Sequence, residues 1–95
     1  DADALGKLLN KRVDISVPPN ANGGHDANQT VFILKQFFMS YPIKEFNVMH
    51  KGSAESSHYI MGTYISNKGS FDTNIFIKQF GSSYKIDQIR FESDN

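Results

Sequence analysis

The chain of 95 residues contains no cysteine and no tryptophan, and its ten basic residues are offset by ten acidic ones. Without a thiol there is no disulfide framework and no zinc-thiolate site, and neither a metal nor another cofactor is expected. Apart from Lys11 and Arg12 the basic residues stand singly. No stripe of positive charge is available to neutralise a row of phosphates, so nucleic acid is excluded as a partner. Long apolar runs are missing as well: none approaches the roughly 18 residues of a membrane span. What remains suits a single domain over residues 1–95, near the size at which burial only just exceeds the entropy of ordering the chain.

Aromatic residues are plentiful, with eight Phe and four Tyr. Core packing accounts for most of them. Without a basic groove they make a poor platform for stacked bases, whereas a sugar or a small apolar ligand in an interior cavity is compatible with them.

The opening "DADALGKLLNK" places Ala4, Leu5, Leu8 and Leu9 at helical spacing, with Asp1 and Asp3 in the first turn where the helix dipole favours acids. "RVDISVPP" then switches to period two, Val13, Ile15 and Val17 pointing one way, until Pro18 and Pro19 end the strand. "NANGG" reads as a loop, because Asn and Gly tolerate left-handed turns. In "HDANQTVFILKQFFMSY" Asp26 and Gln29 have the spacing of a capping box, and Pro42 stops the helix that follows. Its predicted core face is Ala27, Val31, Leu34, Phe38 and Tyr41, with Phe32, Ile33, Phe37 and Met39 widening the stripe so that the helix is enclosed on several sides. Four strands follow at 44–51, 58–66, 70–80 and 84–92, separated by "GSAESS", "NKG" and "GSS". Such short connections imply an antiparallel meander, and the whole is α+β.

A turn centred on Lys68 brings Tyr59, Met61, Thr63 and Ile65 beside Ile77, Ile75, Thr73 and Phe71. With Met49, Ile89 and Phe91 they form the predicted core face. The other face collects Phe46, Val48, Ile60, Tyr64, Phe76, Phe80 and Ile86 among polar residues, a mixture suited to a protein–protein interface and thus to a homodimer. Gly62 faces Phe46 in this register, where the ring covers exposed backbone. The spacing of Ile86 and Ile89 points to a bulge in the last strand.

The order helix, strand, helix and curved four-stranded meander resembles the nuclear transport factor 2-like, or cystatin-like, cone fold. "ADALGKLLN", "LKQFF", "FNVMHKGSAESSHYIMGTYIS", "NKGSFDTNIFIKQF" and "YKIDQIRFE" are similar to a bacterial family typical of Bacteroidetes, domain of unknown function 4783. The resemblance covers nearly the whole chain and implies an exported domain, periplasmic or secreted, with no assigned activity. It also implies a further helix before "ADAL", so that another chain would be left to cover part of the cone's interior. The "VPPNANGG" loop departs from the family pattern, and no binding role is carried over to it.

Catalysis in this fold uses groups inside the cone. On the predicted register these are Tyr59, Thr63, Thr73 and Asp87, with Asp87 as base and Tyr59 as hydrogen-bond donor in a lyase or isomerase. The plainer reading puts Asp87 in water at the sheet edge and satisfies the threonines on neighbouring backbone. His50 and His58 flank the "GSAESS" loop, but Glu55 is the one other ligand near them, which falls short of a zinc site. Both rings are therefore expected on the outer face as a surface or interface pair. The serines of that loop have no base fixed beside them, and a turn suffices to explain them. The sequence thus favours a non-enzymatic domain that associates through the outer sheet face, with a ligand-binding or isomerase-like cone as the alternative.

Overall fold

Period-two burial at Val13, Ile15 and Val17, each 2% exposed or less, makes β1 (Leu9–Val17) a core strand. The computed structural model describes residues 2–19 and 21–93; Asp1, Asn20 and the Asp3 side chain, invoked above, lie outside the described residues. Around β1 run α1 (Ala2–Gly6), β2 (Ala21–Asp26), α2 (Ala27–Ser40), β3 (Ile43–Ala54), β4 (Ser57–Ser66), β5 (Gly69–Phe80) and β6 (Ser83–Ser93). The strands form a single sheet in the order β2-β1-β6-β5-β4-β3. It is mixed rather than wholly antiparallel, because β6 returns beside β1 running in the same direction.

Two local expectations change near the N-terminus. Leu9 enters β1 and Leu8 is half exposed, so α1 is shorter than its apolar spacing suggests. Most of the predicted Asn-Gly loop is the edge strand β2, paired antiparallel with β1 from Arg12↔Asp26 to Val17↔Ala21. Its side chains are mostly exposed. Backbone pairing alone defines this strand, so it leaves no alternation in the sequence.

α2 is capped as its spacing predicts. Gln29 N donates to Asp26 Oδ1 at 2.8 Å, and Asp26 N donates to Gln29 Oε1 at 3.2 Å. At the far end Tyr41 N donates to the Phe37 carbonyl, and Pro42 follows. The buried face is Thr30, Leu34 and Phe37, turned from the predicted one, while Phe32 and Met39 are exposed rather than enclosed. Thr30 can be buried because its hydroxyl donates to the Asp26 carbonyl at 2.8 Å. Phe37 organises the core: its ring stacks on Phe91 at 4.5 Å, meets Phe71 edge-on at 5.1 Å and lies 5.3 Å from Tyr64.

Those contacts fix which face of the meander is inward. Tyr64 pairs with Phe71 and Tyr59 with Phe76, one residue away from the predicted register. The cause is the turn. Ser66 pairs directly with Gly69, leaving a two-residue loop in place of a three-residue one, and Ser66 Oγ accepts from Lys68 N while donating to the Gly69 carbonyl. Every β4 side chain consequently changes sides: Tyr64 is core, whereas Tyr59 and Met61 are exposed.

Bulges bend the sheet into a cone. In β3 the register shifts between Ile43 and Glu45 and again between Val48 and His50, so Met49 becomes an inserted, exposed residue rather than core. In β6 it shifts at Asp87, which lets both Ile86 and Ile89 face the core. The predicted bulge is therefore present, and Ile86 belongs to the core rather than to an outer interface.

Candidate functional site

A cavity of about 850 Å³ opens between the helices and the concave side of the sheet. α1 contributes Ala2 and Leu5, α2 contributes Phe38 and Met39, and the chain leaving α2 adds Pro42 and Ile43. The sheet supplies Phe46, Tyr64, Thr73, Ile75 and Phe91, and Lys35 completes the lining from an exposed position on α2. This chemistry is almost entirely apolar.

Local geometry on β4 places Phe46, one of the lining residues. At Gly62 an added Cβ would come within 2.5 Å of the Asn47 carbonyl and 2.8 Å of the Phe46 ring. Glycine thus allows Phe46 to lie over the β4 backbone, as expected, although the ladder partner of Phe46 is Tyr64 and the contact is on the concave face. Tyr64 Oη donates to the Tyr41 carbonyl at 2.5 Å, tying the end of α2 to β4. Burial raises the Tyr64 pKa above the ordinary 10.0, so this phenol stays neutral in the fold. Thr73, 2% exposed, donates to the Phe71 carbonyl at 3.3 Å.

Of the four residues predicted for the cone interior, Thr73 alone lines the cavity. Tyr59 lies on the outer face with its ring 6.5 Å from Phe76 and folded over Gly52. Thr63 pairs with Asn47 and Asp72 on the same outer side. Asp87 sits at the β6 bulge with Oδ2 3.8 Å from Lys78 Nζ. Among the described residues no carboxylate or imidazole lines the cavity, and Asp87 and Tyr59, the expected base and oxyanion donor, are not brought together. The two-residue turn and the β6 bulge moved them; the bulge is marked by the spacing of Ile86 and Ile89, but the turn length leaves no signal in side-chain alternation.

The predicted interface set also divides. Phe46 and Tyr64 line the cavity, Val48 and Ile60 share their face by register, and Ile86 is core. Phe76 and Phe80 are exposed on the outer face as expected. His50 and His58 fall on opposite sides of their hairpin, because the Met49 bulge pairs His50 with Met61 while His58 pairs with Ser53 and Ile77. The His58 ring meets Tyr84 edge-on at 5.3 Å. Among the described residues no group of three His, Asp or Glu is placed to hold a metal ion, and no helix is long and apolar enough to cross a membrane.

Sequence reasoning missed Phe38, Tyr64 and Phe46 as cavity residues. A Gly opposite aromatics was the available signal, but its face depended on the turn length.

A sequence profile described as Domain of unknown function (DUF4783) matches residues 1–92. Among solved structures, a DUF4783 family protein from Bacteroides uniformis has a TM-score of 0.92 at 26% identity, covering 99% of this chain and 86% of its own. One from Bacteroides fragilis has a TM-score of 0.89 at 29% identity, covering 97% and 86% respectively. A de novo designed NTF2 fold protein aligns at a TM-score of 0.62 and 17% identity, covering 99% of this chain and 73% of its own, and shares the fold. Comparison with curated proteins gives no match.

Proposed function

We propose that this chain, which belongs to the DUF4783 family of domains of unknown function, is a non-enzymatic binding module that takes a small apolar molecule into the cavity between α2 and the sheet. The cavity itself carries the proposal: about 850 Å³ lies within the roughly 300–1,000 Å³ of small-molecule sites, and an apolar wall with few polar groups is their usual make-up. Among the described residues no carboxylate or imidazole lines it, the Tyr64 hydroxyl is bonded to the Tyr41 carbonyl and Lys35 is exposed, which gives binding precedence over proton-transfer chemistry. Titration with the neutral fluorophore N-phenyl-naphthylamine tests it. Saturable enhancement is expected, weakened in Met39→Glu and Ile43→Glu at the exposed rim; no enhancement, or equal enhancement in both variants, sinks the proposal.

The outer sheet face supports a second role, self-association as a homodimer. Tyr59 and Phe76 pair directly across β4 and β5, and Met61 and Phe80 are exposed beside them. Phe76→Asp should convert a dimer to monomer in light scattering, and an unchanged mass would refute this interface. Export to the periplasm or medium belongs to the same proposal on the strength of the family resemblance alone. Recovery of the native protein wholly in the cytoplasmic fraction would remove it.

A further inference from the structure

Among the described residues, two of the three polar side chains in the cavity wall are neutral hydroxyls that donate to backbone carbonyls. Tyr64 Oη donates to the Tyr41 carbonyl and Thr73 Oγ1 donates to the Phe71 carbonyl. Both residues are at least 96% buried. A hydroxyl has one proton and two lone pairs, so what each can still offer a ligand is acceptor capacity. The third polar side chain, Lys35, lies exposed at the mouth, where water weakens its attraction for an anion.

From this we infer that the ligand is an apolar alcohol, with its O–H donating to the Thr73 or the Tyr64 oxygen and its hydrocarbon part against Phe38, Phe46 and Ile75. The inference rests on the cavity being a binding site and adds the chemical class of the ligand. A ketone would set its lone pairs against those of the wall. A carboxylate would lose its hydration without gaining a buried donor. For chains matched to within one carbon, hydrocarbon burial is similar for all three, so the polar group decides among them.

The test is displacement of N-phenyl-naphthylamine by decanol, methyl nonyl ketone and decanoate. Decanol should displace the probe at about tenfold lower concentration than either, the scale of one buried polar group left unpaired. Thr73→Val, similar in shape but without lone pairs, should reduce that preference while still binding the probe, and Thr73→Ser should keep it. Equal or better displacement by the ketone or decanoate, with the probe bound, overturns the alcohol assignment and leaves the cavity as a site. An undiminished preference in Thr73→Val with Tyr64→Phe also overturns it. Failure of the probe to bind at all defeats the underlying proposal instead.

Discussion

Tyr64 joins α2 to the sheet through both its ring and its hydroxyl. Its ring contacts Phe37, Phe38, Phe71 and Phe91, and its hydroxyl holds the Tyr41 carbonyl. Tyr64→Phe keeps the rings and loses the hydrogen bond, which should cost about 0.5–1.5 kcal/mol in urea unfolding. It should also change the alkaline arm of the stability profile. The folded pKa is raised by burial, so this contribution is fully present below the ordinary value of 10.0 and is lost as pH rises through the folded value. Wild type should therefore lose stability above about pH 10 more steeply than Tyr64→Phe; parallel profiles would contradict this. Gly62→Ala should cost about 1–3 kcal/mol, since the new Cβ meets the Asn47 carbonyl and the Phe46 ring. A thermal midpoint equal to wild type would show that the strand yields freely. Both residues were recognisable as important in sequence, but their side of the sheet was not.

At the scale of elements, agreement with the sequence follows the kind of signal each element leaves. The α2 cap is written in two side chains at fixed spacing and is found as written; Asp26→Ala should accordingly cost about 1 kcal/mol by chemical denaturation, and no loss would mean that the cap is energetically idle. β5 and the inner part of β6 keep their predicted faces because Phe71, Thr73, Ile75, Ile89 and Phe91 alternate cleanly. β4 does not, since its two sets, Tyr59, Met61, Thr63 and Ile65 against Ile60, Gly62, Tyr64 and Ser66, are similarly apolar. Turn length then decides, and a Ser hydroxyl bonded on both sides of the turn is a tertiary detail that alternation cannot encode. Phe37 was similarly misread as a flank of α2, because Thr30 hid the inward face. Phe37→Ala should cost about 3–5 kcal/mol in unfolding free energy, and a loss below about 1 kcal/mol would deny it the centre of the core.

Over the whole molecule, the cone was legible from element order and the cavity was not, because its wall depends on which face β4 turns inward. One consequence concerns biosynthesis rather than binding. The strand made latest among those described, β6, is inserted between β1 and β5. A nascent chain that has emerged only through β5 therefore holds two unconnected pieces of sheet, the β1–β2 hairpin and the β3–β5 meander, with no neighbour to join them. Folding is gated by the arrival of β6, as long-range pairing must wait for the strand that closes it. Chains stalled on the ribosome before residue 83 should be cut readily by protease, whereas those with residue 93 clear of the exit tunnel should resist.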